Sequence, residues 1–592
     1  MKSSGFSFFQ KPSSLKALFF ILLTGILFSQ CKPKETLPAG DSDNGGLVLP
    51  EAFEALVVVD SLQGAARHLA VNSNGDIYVK LRFPDSLGGN AALRDTNGDG
   101  KADVIQNFDD YLDKGSYGTA MRIHDGYLWF SSVTRVFRQK LTPGKLVPDS
   151  KMELMLTDTQ PPRQHDTKPV AFDKEGNMYT PFGAPSDCCQ IQDREPFSPG
   201  MDSCPILELR GGIWKFDANK PNQFQKDGKK FATGLRSIVA LEWNDKDNNL
   251  FTLMHGRDYL HRTWPNHYSE WEGAVKPAEE FLKLKEGSNA GWPYYYYDQV
   301  KGKRMLNPEY GGDGKKEGKG SEYTQPLIGF PGHFAPNDLL FYTGNQFPEH
   351  YKDGGFIAFH GSTSSAPYPQ SGYFVGFVPM KDGLPSGPWE VFADGFAGVD
   401  TVVNTSDAQY RPMGLSMGPD GSLYVSDSEK GKIWRIMYKG DKNQFGKTQL
   451  AKMEERKLQA TNIKTPDEIK DNLTLGANVP EDARLYNSYC ASCHQFDGKG
   501  AGSRFPPLAG SNWVRGSKDT LIDVVLNGLE GPIKVGRRMY DGLMPAHRDI
   551  LKDDDLAKIL TYIRQHFYNK ESSVTALEVN KVRMASANKK KK

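Results

Sequence analysis

Neither sign of charge is in excess in this chain: 73 lysines and arginines stand against 72 aspartates and glutamates. That balance excludes the basic surface of a nucleic-acid binder and the acidic excess of a solvating chain. Long apolar runs are scarce, and the N-terminal one, Ala17 to Phe28, falls well short of the roughly 20 residues that span a bilayer. Cysteine is scarce too, with six in 592 residues, so no dense disulfide framework holds the chain. Glycine, tyrosine and phenylalanine are plentiful at 60, 25 and 33, the composition of a turn-rich β protein rather than a helical bundle. At about 150 residues per domain, the length allows three to four domains and a large core.

Lys2, Lys11 and Lys16 precede the short apolar run, and "SQC" follows it, ending at Cys31. This reads as a signal peptide over residues 1–30. A Cys directly after such a segment resembles a bacterial lipobox, although Phe28, Ser29 and Gln30 are not its commonest occupants. The expectation is a lipid anchor at Cys31 that holds the chain to a membrane in the bacterial periplasm or at the cell surface, with a polar tether over residues 31–46. Cys188, Cys189 and Cys204 remain for disulfides in an oxidising compartment. Three cannot all pair, so either Cys204 joins one of the adjacent two or Cys188 and Cys189 form a vicinal ring.

Between Ala65 and Lys439 one pattern recurs six times: an apolar strand, a polar turn usually carrying Gly with Asn or Asp, then a strand with an aromatic. The copies begin at Ala66, Gly118, Lys168, Val239, Asn337 and Arg411, as in "ARHLAVNSNGDIYVK" and "RPMGLSMGPDGSLYVSD". Each joins period-two alternation to a turn suited to positive φ, so each is a hairpin that cannot bury its own faces. Repetition at intervals of about 45 to 100 residues is the signature of blades around an axis. The fold class expected is mainly β: a six-bladed β-propeller over residues 47–439, followed by a small all-α domain. A β-sandwich with similar turns is the alternative, and six recurrences argue against it. Residues 440–479 read as a linker with one short helix, residues 480–570 as the helical domain, and residues 571–592 as a solvated basic tail.

"YCASCHQFDGKG", Tyr489 to Gly500, opens the helical domain with Cys-x-x-Cys-His, the attachment signature of c-type haem. Cys490 and Cys493 supply thiols a helical turn apart, and His494 supplies the adjoining axial imidazole. A structural zinc site is excluded because the domain has no further Cys. In "YDGLMPAH", Met544 precedes a Pro in a loop and is the expected sixth ligand, a thioether that favours reduced iron and raises the potential. Met539 and His547 are rivals, the first without a Met-Pro signature and the second read as a surface histidine. "RFPPLAG" places Pro507 near His494. A haem that cycles by one electron needs a donor, and the propeller is the candidate.

"HDTKPVAFDKEGNMYTPFGAPSDCCQ", "FATGLRSIVALEW", "MHGRDYL", "GSNAGWPYYYYD", "FYTGNQFPEHYKDGGFIAFHGS" and "RPMGLSMGPDGSLYVSD" resemble, in that order, the motifs of the glucose/sorbosone dehydrogenase propellers that use pyrroloquinoline quinone (PQQ). The resemblance runs over roughly residues 56–438 and extends to fusion with a cytochrome c domain. It implies that His165 is the base that takes the substrate hydroxyl proton, since a neutral imidazole with a pKa of about 6.5 suits that task. It implies that Arg236 in "GLRS" stabilises negative charge on the quinone oxygen, although Ser237 stands where the family commonly has Asn. His360 in "FHGS" and Arg411 in "YRPMG" match cofactor-binding positions, with cationic groups facing the PQQ carboxylates. "HGRD", His255 to Asp258, resembles the loop whose carbonyls hold Ca²⁺ in relatives, but deviates from it. Trp292 is a wall of the site or a packing aromatic, and Tyr294 to Tyr297 a sugar-stacking or packing run.

A second cation signal, independent of the resemblance, is "DTNGDGKAD". Asp95, Asn97, Asp99 and Asp103 occupy positions one, three, five and nine of an EF-hand-like loop, with Gly100 at the turn. Gln106 at position twelve excludes a full EF-hand, leaving a structural Ca²⁺ loop or a metal-free chain of Asx turns. The cofactors expected are haem c, PQQ and Ca²⁺. The activity expected is oxidation of a sugar, sugar aldehyde or polyol, with electrons leaving through the haem to a respiratory acceptor. The alternative is a non-catalytic glycan- or protein-binding propeller with a relay haem. A metal-dependent hydrolase such as a lactonase is the third reading, for which no axial ligand cluster can be assembled and which gives the haem no purpose.

Overall fold

The computed structural model describes residues 37–589 apart from 85, 115–117, 161–163, 319–321, 474–478 and 503. The leader and Cys31 lie outside the described residues. Six antiparallel four-stranded sheets follow one another along the chain, and two of them gain a short parallel fifth strand. Their innermost strands are Ala66–Val71, Met121–His124, Ala171–Phe172, Ile238–Asn244, Pro336–Phe341 and Pro412–Met417. These are the first strands of the six sequence repeats, so each repeat is the inner hairpin of one blade. The turns need a left-handed residue, supplied for example by Gly75 at φ 92° and Gly421 at φ 87°.

Burial falls from axis to rim. Ile77–Leu81 and Leu423–Asp427 are buried at every residue because neighbouring blades cover both faces, whereas Val104–Phe108 at a rim is mostly exposed. The ring closes through Phe53–Val59, which pairs antiparallel with Ile433–Tyr438 and so completes the sixth blade with the chain's first strand. Phe53 anchors that closure, with ring centroids 4.9 Å from Phe347, 5.5 Å from Tyr351 and 5.2 Å from Phe392. Edge-to-face pairs of this kind add roughly 0.5–1.5 kcal/mol each beyond the area they bury.

Two short helices, α1 (Leu260–Thr263) and α2 (Glu270–Val275), lie in an insertion of the fourth blade, and α3 (Lys447–Gln459) follows the propeller. The segment read as a linker is a strap laid on the fifth blade. Met453 and Ile463 are buried in a blade core, Arg456 pairs with Asp394, and the Lys457 ammonium sits 4.0 Å from the Trp389 ring centroid. The tether is also corrected over its described part. Asp41 N donates to Ala55 O at 2.8 Å and Trp434 Nε1 to Gly45 O at 3.0 Å, so this stretch lies against the sixth blade.

The C-terminal domain holds α4 (Glu481–Tyr489), α5 (Ala491–His494), α6 (Asn512–Arg515), α7 (Lys518–Asn527) and α8 (Asp553–Gln565). Asp553, Asp554 and Asp555 open α8, where acidic groups complement the helix dipole. Leu556, Ile559, Leu560 and Ile563 follow at helical spacing and are buried, each contributing roughly 1.5–3 kcal/mol. A small hairpin, Pro532–Val535 with Arg538–Asp541, supplements the helices. The basic tail is corrected: α9 (Ala576–Lys589) packs on α7 and α8 through buried Val579 and Val582. An apolar stripe at a spacing of three, hidden in a lysine-rich composition, drives that packing. Among the described residues no helix is long and apolar enough to cross a membrane.

Candidate functional site

Each inner hairpin carries the chain away from one end of the axis and back to it. The registers Ala66 with Leu81, Ile238 with Met254, Pro336 with Phe359 and Pro412 with Asp427 bring the start of each inner strand beside the end of the next strand. Residues just before an inner strand or just after its partner therefore meet at one end of the propeller. His165, Arg236, His255, His360 and Arg411 all occupy such positions.

His165 sits in a left-handed conformation at φ 61°, which is uncommon for a non-glycine residue and typical of functional sites. Its Nδ1 donates to Ala184 O at 2.7 Å, which leaves Nε2 as the lone-pair nitrogen. Gly183 makes room for it, since a Cβ there would lie 2.0 Å from His165 O. Burial lowers the His165 pKa well below the ordinary histidine value, and the Arg236 and Arg194 guanidiniums lower it further. The imidazole is neutral at neutral pH, as a general base must be.

Arg236 is 3% exposed and donates to Asp187 at 2.5 Å, Asp258 at 2.9 Å and Gly256 O at 2.6 Å. Arg194 lies beside it, 3.5 Å from Asp187 and 3.6 Å from Asp258, and also bonds Gln164. Burial acts to raise the Asp258 pKa, but Arg236, Arg194 and Arg504 outweigh it and hold the carboxyl well below the usual range. Arg194 Nε and Arg236 Nε are buried without hydrogen-bond partners among the described residues. Unsatisfied buried guanidinium donors are costly, and an anionic ligand relieves that cost.

The loop that carries Asp187 and Arg194 is pinned by a Cys189–Cys204 disulfide, with Cys188 left as a buried thiol. Of the pairings left open by the sequence, Cys204 with one of the adjacent two is the one formed. Trp292 packs against this disulfide and donates from Nε1 to Asp187 O at 2.8 Å, so it braces the site from behind. Tyr294 accepts from Cys204 N and Tyr296 bonds Tyr268, both packing roles. Beside His165, Asp166 and Arg210 pair at 3.2 Å and line a cavity of about 250 Å³ together with Gln160, Pro185 and Glu208.

A second cationic cluster forms where the fifth and sixth blades meet. Arg411 donates to the His360 and Gly361 carbonyls, Arg82 to Ser428 O at 2.7 Å, and both approach Glu429. His360 Nε2 pairs with Ser428 Oγ at 2.7 Å. Burial and the nearby Arg411, Arg82 and Arg67 guanidiniums depress its pKa well below the ordinary value. His360 is thus a neutral hydrogen-bonding residue, and the positive charge on that side belongs to Arg411 and Arg82. Ser364, four residues after His360, donates from Oγ to Asp258 Oδ1 at 3.1 Å. The set of buried arginines around one end of the axis fits a ligand with several carboxylates, such as PQQ.

The two cation expectations meet oxygens that are already engaged. In "HGRD", the Gly256 carbonyl accepts from Arg236, the Asp258 carboxylate pairs with two guanidiniums, and Arg257 turns away to Glu309 at 2.6 Å. In the second loop, Asp95 accepts from the amides of Asn97, Gly98 and Gly100, while Asp103 accepts from Thr96 and Asn97. Asn97 and Asp99 cap the amides two residues on, at 2.9 and 2.8 Å. Here the carboxylates and Asn97 cap nearby amides as Asx turns do. Among the described residues no three His, Cys, Asp or Glu side chains gather as a metal cluster.

In the helical domain, His494 Nδ1 donates to Pro506 O at 2.9 Å, which leaves Nε2 to face a metal. The adjoining carbonyl is Pro506, one residue before the proline expected there. Met544 is partly buried against the same core as Cys490 and Leu508, whereas Met539 is 61% exposed on the hairpin. His547 is corrected from a surface residue to a buried one at 3% exposure, with a pKa lowered to about 3, chiefly by burial. Two thiols, a tethered imidazole and a half-buried thioether fit haem c.

Comparison with known proteins follows this division of the chain. Residues 302–439 match the TrAA12-like family, and residues 477–563 match the family described as cytochrome C oxidase, cbb3-type, subunit III. Cytochrome c-552 of Thermus thermophilus is 39% identical over 87 residues, which are 14% of this chain and 65% of that protein. The fructose dehydrogenase cytochrome subunit of Gluconobacter japonicus is 33% identical over 121 residues, 19% of this chain and 24% of that protein. The chain thus spans less than two thirds of either curated relative. Among solved structures, the PQQ domain of pyranose dehydrogenase from Coprinopsis cinerea superposes with a TM-score of 0.51 at 18% identity, covering 68% of this chain and 99% of that one. A calcium structure of the Trichoderma reesei Carbohydrate-Active Enzymes Family AA12 protein gives a TM-score of 0.52 at 17% identity, over 67% and 98%. The motif resemblance is borne out in the fold: this chain joins a six-bladed propeller built like a quinoprotein dehydrogenase domain to a c-type cytochrome domain.

Proposed function

We propose that the propeller oxidises a sugar, sugar aldehyde or polyol and that the electrons leave through haem c to an external respiratory acceptor. The observation that supports this most is His165, neutral and with its Nδ1 engaged, beside the buried pair Arg236 and Arg194, whose Nε donors have no partner among the described residues. PQQ, when bound, supplies the acceptor for the hydrogen and electron pair of the substrate carbon. The chain's own residues do the rest. His165 Nε2 takes the hydroxyl proton, and Arg236 with Arg194 supplies N–H donors and positive charge where negative charge develops. Arg411 and Arg82 hold carboxylates, and the cavity beside Asp166 and Arg210 offers paired polar groups to a sugar's hydroxyls.

The test is dye reduction by protein reconstituted with PQQ and Ca²⁺ against a panel of aldoses, sugar aldehydes and polyols. Substrate-dependent reduction that requires PQQ and is lost in His165→Ala supports the proposal; no PQQ binding and no reduction across the panel overturns it. The second reading, a binding propeller with a relay haem, draws on the Gly256 carbonyl being committed to Arg236 where relatives of the resembled family place Ca²⁺. A Ca²⁺ titration distinguishes a structural site at Asp95, Asn97, Asp99 and Asp103 from bare Asx turns: Asp95→Ala abolishes binding in the first case and changes nothing in the second. Lipid anchoring at Cys31 in the periplasm or at the cell surface is part of the proposal, and Cys31→Ala should release the protein from the membrane fraction.

A further inference from the structure

The haem domain is gripped by the propeller at the two segments that carry its iron chemistry. At the attachment segment, Tyr259 Oη lies 3.4 Å from Cys493 Sγ, and Arg262 Nη1 lies 2.8 Å from Ser492 Oγ and 3.6 Å from Cys493 Sγ. Gln495, next to His494, accepts from Thr405 N at 2.8 Å, and Asp497 N donates to Asn404 Oδ1 at 3.2 Å. At the methionine loop, Ala546 N donates to Glu195 Oε1 at 2.9 Å. The gripping residues adjoin the cofactor face in sequence: Tyr259 follows Asp258, and Glu195 follows Arg194. Tyr259 lies between the two sites, with the Arg194 guanidinium 5.6 Å from its ring centroid and that of Arg262 at 4.4 Å. It is buried, and it takes the left-handed conformation at φ 57°, a strained choice for a bulky side chain.

We propose that Tyr259, Arg262 and Glu195 form a docking surface that holds the haem-attachment segment and the methionine loop permanently against the propeller, so that a haem bound there would be reduced within the docked chain rather than after a swing of the domain. Part of this rests on the proposed dehydrogenase reading, but the docking itself does not. The electron count requires two visits: a substrate gives up two electrons, the single haem accepts one at a time, and an external one-electron acceptor such as ferricyanide takes each in turn. The three residues are positioning residues, which touch the haem attachment segment and the methionine loop and leave the substrate chemistry to the propeller.

Four readouts on the holoprotein test this. Removing the Arg262 cation in Arg262→Gln should lower the haem midpoint potential, because a positive charge beside the haem favours the reduced state. Glu195→Ala/Arg262→Ala should lose amide-exchange protection over residues 490–497. In the wild type, substrate-driven haem reduction should be first order, independent of protein concentration and insensitive to glycerol viscosity. In the double variant and in Tyr259→Leu, haem reduction should slow by about tenfold or more while dye-linked substrate oxidation stays within about twofold, since small displacements of a reacting pair are costly. An unmoved potential with unchanged protection, or a wild-type rate that falls in proportion to viscosity, overturns the docking. If the wild type reduces no dye with any substrate, the dehydrogenase reading fails, and the potential and exchange protection still decide the docking.

Discussion

At the scale of single residues, the site depends on an imidazole kept neutral and on the glycine that admits it. Burial and two guanidiniums push the His165 pKa below 6.5, so the base stays unprotonated further into acid. The acid limb of kcat/KM should therefore fall below pH 6.5, and a pH profile with a limb at or above 6.5 would count against His165 as the base. Gly183→Ala places a methyl group against the His165 carbonyl, so kcat/KM should fall by about 10²-fold with the propeller still folded, as read by kinetics and circular dichroism. His165, Arg236 and Arg411 were legible because each sits inside a recognisable motif. Arg194 was not: it lies in an irregular loop with no motif of its own, and it reaches the site only because the loop folds back. The neutrality of His360 was equally hidden, since it follows first from burial and then from three guanidiniums distant in sequence.

At the scale of elements, the repeats were readable because turn chemistry is local: a hairpin's glycine and its flanking alternation lie within fifteen residues of one another. What joins elements was less readable. The strap α3 and the terminal α9 have polar, lysine-rich compositions, and their buried stripes of Met453 or Val579 and Val582 gain meaning only with a partner surface beside them. The disulfide loop is the element on which the site depends most. Cys204→Ser should lower stability by about 2–4 kcal/mol in chemical denaturation and weaken cofactor binding, because Cys189–Cys204 holds the segment that bears Asp187 and Arg194. If cofactor affinity were unchanged, the loop would be held by its hydrogen bonds alone.

At the scale of the whole molecule, three pieces of chain at the margins of the two domains bind the architecture together. The N-terminal strand closes the ring, the strap spans the fifth blade, and α9 completes the core of the haem domain. Truncation after residue 573 should destabilise the haem domain while leaving the propeller's unfolding transition in place, since α9 packs on α7 and α8. Calorimetry would show one transition lowered, and a uniform drop in both would mean that the two domains unfold as one unit. The division into propeller and haem domain was read in the sequence from the end of the hairpin repeats and from the Cys-x-x-Cys-His run beyond them. Their docking was not, because the contacts come from α1 and from loops that no periodicity marks.

The closure of the ring by Phe53–Val59 against Ile433–Tyr438 also sets an order of manufacture. The first strand of the propeller must wait without its partner strand until almost the whole propeller has been synthesised, so the ring is sealed late. The haem-binding cysteines emerge after the sealing strand. By the time they appear, the surface that receives the haem domain can already stand complete, and the haem domain has a finished platform on which to mature.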